Sequence, residues 1–266
     1  MSRRHDLDRS RHLPGVWSAD PRTWCGGAEL GSRRPGCCCL HDHQRQWGGR
    51  RGVRGGVSIP AEHSGGCHTH GGGRGIRCSS SSPFVDHCTI AGNSSDDSGG
   101  GLYCDNSSPT LTSCAITGNS AINDGGGLYG RSSAPTLNNC TIAGNSTSED
   151  GGGLYLSVSS PTLTNCILWA NYPQEIYNYA GTLVLTYSNI YGGWFGEGNI
   201  NADPRFVSYR GYDYLLRPIS PCVDAGDPTV EDAIYDWHPR WPAWYPNGAR
   251  SDMGAMGGPG NAGWLP

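Results

Sequence analysis

The chain has 266 residues, of which 42 are glycine, 36% are hydrophobic and 16% are charged, and its formal net charge is −4. This apolar content is low for a compact globule but suits a solenoid, whose core is a narrow column. No stretch approaches the roughly 20 apolar residues that a membrane span requires, so the sequence predicts no transmembrane helix.

Residues 1–73 differ in composition from the rest of the chain. They hold 11 of the 19 arginines against 6 acidic residues, a net charge of +5, whereas residues 74–266 carry −9. A Gly-, Arg- and Cys-rich sequence without apolar periodicity cannot bury a core. We therefore expect this segment to be disordered or translated out of frame with the repeats, and we predict no nucleic-acid partner. The functional alternatives are a basic arm for nucleic acid or acidic glycan and a metal cluster at Cys67, His68 and His70. Residues 1–20 lack the apolar stretch of a signal peptide.

A 26-residue unit is repeated four times between Gly75 and Asn171. The positions that recur at this step are Gly75, Gly101, Gly127 and Gly153; Pro83, Pro109, Pro135 and Pro161; Cys88, Cys114, Cys140 and Cys166; and Asn93, Asn119, Asn145 and Asn171. A constant period without insertions is typical of a solenoid of stacked units.

Within each unit, apolar residues fall two apart in short runs separated by Gly, Ser, Thr, Asn and Pro, which is strand spacing. Leu102 and Cys104 then face inward and Tyr103 outward, and a change of parity between Leu111 and Cys114 requires a bend. Three short strands per unit predict one coil of an all-β parallel β-helix, with coils about 4.8 Å apart. The predicted inward columns are Ile76, Leu102, Leu128 and Leu154; Val85, Leu111, Leu137 and Leu163; and Ile90, Ile116, Ile142 and Leu168.

Two further columns are predicted to be structural. The asparagines from Asn93 to Asn171 predict a side-chain amide ladder, and the glycine before each of the first three suits a turn with positive φ. The cysteines from Cys88 to Cys166 are interpreted as buried thiols, with disulfides between neighbouring coils as the alternative. Zinc is not favoured, because no CxxC pair accompanies the column.

The phrases GGGLY, SSPTLTNC and CTIAGNS resemble the right-handed parallel β-helix repeats of secreted and surface proteins of environmental bacteria. Residues 198–204, 220–227 and 252–257 are similar to the closing segment of such proteins, although Met256 stands where an aromatic residue is usual. The resemblance implies a right-handed parallel β-helix and an extracellular or cell-surface location. It implies little about activity, because pectin-degrading enzymes, tailspikes and adhesins share this fold.

After Asn171 the 26-residue step fades, but residues 182–190 still alternate as one more coil. We therefore assign the coils to residues 74–202. From residue 203 the sequence is irregular and rich in proline. This predicts a C-terminal cap over residues 203–266, because the last coil would otherwise expose unpaired backbone and open apolar columns.

Acidic residues occupy matching turns before each Gly-Gly-Gly. Stacked carboxylates repel one another, and Ca²⁺ relieves such repulsion with oxygen ligands. The candidate metal ligands are Asp97, Asp124, Glu149 and Asp150. The alternative is a solvated turn whose side chains point apart, since no complete calcium-loop spacing is present.

Two sets of aromatic residues are candidates for binding a polysaccharide. The outward column is Tyr103, Tyr129 and Tyr155, with Arg77 beneath it, and the cap carries Trp237, Trp241 and Trp244. The tyrosines can stack on sugar rings or only on one another. The tryptophans can bind sugar or a protein, or close the end of the core.

The sequence does not favour catalysis. A polysaccharide lyase combines calcium-binding carboxylates with a nearby base, and the repeats offer only Arg77 and Arg131, on different coils. Glycoside hydrolysis needs two carboxylates at a set separation, and the Asp96-Asp97 pair lacks the expected surroundings. We therefore predict an extracellular or cell-surface scaffold or adhesion module that binds polysaccharide or cell-surface glycan without turnover. A truncated or divergent polysaccharide lyase is the alternative, and no oligomeric state is predicted.

Overall fold

The repeats form successive coils of three parallel sheets, and each coil adds one strand to each sheet. A computed structural model describes residues 37–39, 57–58, 66–72, 74–209, 212–234, 242, 244 and 248–261. All of these fall within residues 34–266, which form one compact unit. The predicted all-β parallel β-helix with 26-residue coils is confirmed.

The strands of the three sheets are as follows. Sheet one contains Val57–Ser58, Ile76–Ser79, Leu102–Asp105, Leu128–Arg131, Leu154–Ser157 and Ile176–Asn178. Sheet two contains Phe84–Asp86, Thr110–Thr112, Thr136–Asn138, Thr162–Thr164 and Val184–Thr186. Sheet three contains Cys37–Cys39, Gly66–Gly72, Thr89–Ser95, Ala115–Thr117, Thr141–Ala143, Ile167–Trp169 and Asn189–Ile190, with Ser120–Ala121 and Ser146–Thr147 alongside. Phe206–Tyr209 and Tyr212–Leu216 form an antiparallel hairpin.

Residues 26 positions apart pair directly across neighbouring coils. Leu128, for example, lies between Leu102 and Leu154 in sheet one. All three predicted apolar columns are buried and belong to one continuous core. Burial of a leucine or isoleucine side chain contributes about 1.5–3 kcal/mol, so these columns supply the main stabilisation of the solenoid. Of the tyrosines predicted to point outward, Tyr103 and Tyr129 are half-buried on the outer surface.

The predicted asparagine ladder is present and fully buried. Asn119 donates from Nδ2 to Oδ1 of Asn145 at 2.9 Å, and its backbone N–H donates to the same oxygen at 2.9 Å. Asn145 repeats both bonds toward Asn171. At the last coil the carboxylate of Glu175 replaces the next amide oxygen, accepting from the backbone N–H and the Nδ2 of Asn171. The ladder therefore ends on a buried acid that the repeat pattern did not predict.

The cysteine column contains both buried free thiols, as predicted, and a disulfide-bonded cysteine, as in the alternative interpretation. Cys114, Cys140 and Cys166 are free and buried, whereas Cys88 takes part in a disulfide. Burial and the neighbouring thiols raise the pKa of Cys140 well above its ordinary value, so this thiol stays protonated and packs as a small apolar group.

The repeat pattern placed the first coil at residue 74 and beyond. Parallel strand pairing in the structure also includes segments that precede this residue. Val57–Ser58 pairs with Ile76–Ser79, and Gly66–Gly72 pairs with Thr89–Ser95. The first intact coil therefore does not end in an open edge in sheets one and three. Backbone hydrogen bonds require no side-chain repeat, which is why composition alone did not reveal these strands. The prediction of disorder or a shifted frame for the remainder of residues 1–73 lies outside the described residues.

The C-terminal residues run back along one corner of the coils. This corner, between sheets two and three, is formed by residues with positive φ: His87, Ser113, Asn139 and Asn165. Gly254 donates from its N–H to the Asn165 carbonyl at 2.7 Å, and Asn139 donates from Nδ2 to the Asp252 carbonyl at 3.0 Å. Farther along, Nε2 of His87 donates to the Gly260 carbonyl. Hydrogen bonds at His87, Asn139 and Asn165 thus tie the segment to three coils from the side, a role that the sequence did not predict.

The same segment covers the outer face of sheet three. Ala255 donates from its N–H to Oγ1 of Thr141 at 2.9 Å, and a second apolar cluster joins the outward Ile167 to Leu216, Cys222 and Met253. The closing edge of the last coil is paired by residues before the predicted cap, since Ile190 donates to the Ile200 carbonyl at 3.0 Å. The strands Ala115–Thr117 and Thr141–Ala143 of sheet three are thereby buried on both faces, whereas the outward residues of sheet one stay half-buried or exposed.

Two buried carboxyl groups hold the C-terminal segment. Asp252 is 0% exposed and Asp232 is 3% exposed. Asp232 accepts hydrogen bonds through Oδ1 from the N–H groups of Asp252 and Gly258, but Oδ2 of each aspartate has no partner. Burial raises the pKa of Asp232 to about 7 and raises that of Asp252 well above its ordinary value. Burial likewise raises the pKa of Glu175 to about 6.

These raised pKa values predict that the folded domain is more stable at pH 5 than at pH 8. An acid whose pKa is higher in the folded state holds more protons there, so unfolding free energy falls as pH rises. The stabilisation is complete below about pH 4, the ordinary carboxyl range, and is lost as pH rises through 6 to 7. Glu175 alone accounts for about 2 kcal/mol. Thermal unfolding across this range measures the effect, and Asp232→Asn should reduce the slope. A melting temperature that rises between pH 5 and pH 8 would contradict the prediction.

Candidate functional site

The outer face of sheet one carries a ladder of stacked tyrosines. Tyr103, Tyr129, Tyr155 and Tyr177 have ring centroids 5.2 Å apart, with interplanar angles of 9°, 6° and 13° along the series. In-register pairing of the strands produces this stacking, because each tyrosine lies directly beside the next. Each ring pair contributes about 0.5–1.5 kcal/mol beyond the area it buries. The ladder is therefore rigid as well as partly exposed.

Stacking decides which part of each tyrosine a ligand can reach. The faces of the middle rings, those of Tyr129 and Tyr155, are covered by their neighbours. The tyrosines are half-buried, so the accessible part of each middle side chain is the outer edge of the ring with its hydroxyl rather than the ring face. Of the two sequence interpretations, ring-on-ring stacking is what the structure shows, and a sugar bound over the middle of the ladder would meet a row of hydroxyls rather than ring faces.

Two arginines close the N-terminal end of the ladder. The guanidinium carbons of Arg74 and Arg77 lie 4.6 Å and 5.5 Å from the ring centroid of Tyr103. Arg74 also contacts Asp97, with Nη2 and Oδ2 2.5 Å apart, and donates from Nε to the Ser98 carbonyl at 2.8 Å. Cation–π contact and an ion pair thus anchor the first ring to the acidic turn.

A second ion pair lies beside the ladder. Arg131 donates from Nε and Nη2 to the two carboxylate oxygens of Asp105, at 2.9 Å and 2.6 Å. The hydrogen bond from Arg131 lowers the pKa of Asp105. The pair is solvent-exposed, so it contributes little to stability, but it leaves this arginine with its charge already neutralised.

The acidic turns lie along the other edge of the ladder. Asp97 accepts from Nδ2 of Asn123 at 3.1 Å, Asp124 accepts from the N–H of Asp150 at 3.4 Å, and Asp150 accepts from Nε2 of Gln174 at 3.0 Å. Burial, followed by the negative charges of Glu149, Asp150 and Asp97, raises the pKa of Asp124. Among the described residues, no three acidic, histidine or cysteine side chains are grouped to hold a metal ion. The structure thus brings Asp97, Asp124, Glu149 and Asp150 to one edge but does not assemble them into a cluster.

The glycines that follow these turns allow close stacking. Gly125 has a φ of +68°, a conformation that side chains disfavour. A Cβ atom on Gly126 would lie 2.3 Å from the carbonyl oxygen of Ser146 on the next coil. The Gly-Gly-Gly phrase therefore lets one coil approach the next directly before each tyrosine strand.

The acidic edge also affects the tyrosines. Burial, then the charge of Asp124 and of the neighbouring rings, raises the pKa of Tyr155 to about 12. Burial, Tyr103 and Asp124 likewise raise the pKa of Tyr129. Both hydroxyls therefore stay protonated and can donate hydrogen bonds at physiological pH.

The candidate tryptophans of the predicted cap are tested little by the structure. Trp237 and Trp241 lie outside the described residues, and Trp244 is 40% exposed. Their predicted role in sugar binding or in closing the core stays a prediction.

Sequence reasoning missed the fourth tyrosine and two residues beside it. Tyr177 pairs with Tyr155 at a step of 22 residues rather than 26, because the turn before it is shorter. Gln174 completes the acidic edge and Glu175 ends the asparagine ladder. The order of an apolar residue followed by tyrosine in Ile176-Tyr177, as in Leu154-Tyr155, was the signal that could have identified this strand.

No helix among the described residues is long and apolar enough to cross a membrane.

Comparison with known proteins identifies the family to which the fold belongs. Neither the curated proteins nor the solved structures gave a match. The family model described as a right handed beta helix region matches residues 51–192, which is more than half of the chain. The coil geometry and this match together show that the chain belongs to the right-handed β-helix family.

Proposed function

We propose that this chain is a secreted or cell-surface scaffold that binds polysaccharide on the outer face of sheet one without cleaving it. The observation that carries the proposal is the ladder of four tyrosines stacked at 5.2 Å. Polysaccharides are long polymers of regularly spaced hydroxyl groups, and a regular row of phenolic hydroxyls is complementary to them.

Rigidity supports a binding role for this face. The tyrosines lie on paired strands and are held by ring stacking and by Arg74. Side chains that are ordered before binding lose little rotamer entropy when a ligand arrives. Sheet three cannot offer a comparable surface, because the C-terminal segment covers it.

Among the residues that the structure describes, no specific contact favours the polysaccharide lyase alternative. A lyase needs a residue that removes a proton, and Asp105 raises the pKa of Arg131. Arg77 is engaged with the ring of Tyr103 and with Oγ of Ser79. Neither arginine is positioned beside a group of carboxylates that holds Ca²⁺, so binding without turnover is the function we propose.

Co-sedimentation of the full chain with a panel of insoluble and gelled polysaccharides tests the proposal. We expect binding that Tyr129→Ala weakens by about tenfold or more, because it removes a hydroxyl and interrupts the ladder. Thr136→Ala, on the outer face of sheet two, is the matched control and should bind normally. Loss of binding by both variants, or by neither, would contradict the assignment to this face.

The same experiment addresses calcium and catalysis. Repeating it with millimolar Ca²⁺ and with a chelator tests the acidic turns as a cofactor site, and we expect equal binding in both. Release of unsaturated products from pectin or alginate, followed by ultraviolet absorbance, would overturn the non-catalytic proposal in favour of a lyase.

A further inference from the structure

The tyrosine face restricts which polysaccharide can bind, if the proposed function is correct. We propose that its ligand is a neutral, extended chain of β-1,4-linked hexopyranoses that lies along the solenoid axis with one sugar unit over each coil. The proposal rests on the spacing of the ladder, the charge of its two edges and the hydrogen-bonding character of its middle.

Spacing favours an extended β-linked chain. Neighbouring tyrosine ring centroids are 5.2 Å apart, close to the strand separation of about 4.8 Å. The advance per sugar of an extended β-1,4-linked hexopyranose chain is close to this distance, so successive sugars stay in register with successive coils. An α-1,4-linked chain coils instead, and its sugars leave register after one or two units.

Charge excludes acidic polysaccharides from this face. Its carboxylates are Asp96, Asp97, Asp105, Asp124, Glu149 and Asp150, and its guanidinium groups are Arg74, Arg77 and Arg131. Two of the three arginines are already in ion pairs with Asp97 and Asp105. A chain of uronates would therefore meet unpaired negative charge along the whole edge, and like charges brought together weaken binding.

The same groups are suited to a neutral sugar. Tyr129 and Tyr155 carry their hydroxyl protons at physiological pH, as phenols ordinarily do. They can donate to ring and hydroxyl oxygens of a sugar, while the carboxylates of Asp124 and Asp150 can accept from sugar hydroxyls in strong, charge-assisted hydrogen bonds. Donors in the middle and acceptors at the edge match a polymer that carries hydroxyls and no charge.

Isothermal titration of the full chain with three soluble ligands tests the inference. The ligands are cellohexaose, maltohexaose and polygalacturonate, measured at low salt where repulsion is strongest. We expect cellohexaose to bind about tenfold or more tightly than maltohexaose, and polygalacturonate not to bind, because only the first satisfies both spacing and charge. Tyr129-dependent binding of polygalacturonate, or equal binding of maltohexaose, would overturn the inference and leave the proposed function intact. Binding of no polysaccharide in the wider panel would overturn both.

A conservative variant tests the hydroxyl row separately from the ladder. Tyr129→Phe keeps the stacked ring and removes only the hydroxyl. We expect cellohexaose affinity to fall roughly twofold to tenfold, with an unchanged melting temperature. Wild-type affinity in this variant would show that the hydroxyls do not contact the ligand, and would overturn the proposed mode of binding.

Discussion

Replacement of Leu137 by aspartate is expected to abolish folding of the coils. Leu137 is 0% exposed and lies between Leu111 and Leu163 in the core column of sheet two. An isolated buried carboxylate costs several kcal/mol, which approaches the whole stability of about 5–15 kcal/mol typical of a domain. Circular dichroism and urea unfolding measure the result.

The matched control is the neighbouring residue on the same strand. Thr136→Asp places the same charge on the outer face, where Thr136 pairs with Thr110 and Thr162. We expect it to fold with a change of no more than about 1 kcal/mol, as surface substitutions usually do. Equal tolerance of both changes would show that the inward and outward positions of sheet two are assigned incorrectly.

Asn145→Ala is expected to cost several kcal/mol of stability although it removes only one small polar side chain. Oδ1 of Asn145 accepts from the backbone N–H and the Nδ2 of Asn119, and its own Nδ2 donates to the Ile116 carbonyl at 2.9 Å and to Asn171. Each buried group left without a partner costs about 1–3 kcal/mol. Alanine therefore leaves several such groups unsatisfied at the centre of the ladder.

Urea unfolding of Asn145→Ala beside Asn138→Ala isolates the effect of the ladder. Asn138 lies on the outer side of sheet two and is half-buried, so its removal should change unfolding free energy by less than about 1 kcal/mol. A similar small cost for both variants would mean that the ladder bonds exchange with water at little cost.

Most of the coil architecture could be predicted from periodicity alone. The constant 26-residue step placed Leu102 beside Leu128 and Tyr103 beside Tyr129, since parallel strands in register bring identical positions together. The parity of apolar residues then assigned each side chain to the core or the surface. The tyrosine ladder, which is the candidate site, follows from these two rules for its first three members.

Periodicity could not predict features that break the repeat. Tyr177 enters the ladder after a shorter coil, and its position depends on the pairing of Ile176–Asn178 with Leu154–Ser157. Glu175 replaces an asparagine as the last acceptor of the ladder because its two carboxylate oxygens accept from the N–H and the Nδ2 of Asn171, two groups that one amide oxygen satisfies in the other coils. Neither the position of Tyr177 nor the role of Glu175 can be recognised from residues that recur every 26 positions.

The amino-acid sequence by itself determined the coil, its core columns and the row of outward tyrosines, because each depends only on residues at a fixed spacing along the chain. Only the tertiary structure decided which outer sheet faces are covered and which stay accessible. Asn139 and Asn165 meet Asp252 and Gly254 across about 90 residues or more, and contacts at that separation depend on the path of the whole chain rather than on a local period. That path covers sheet three and leaves sheet one open, so the location of the candidate site is a property of the fold.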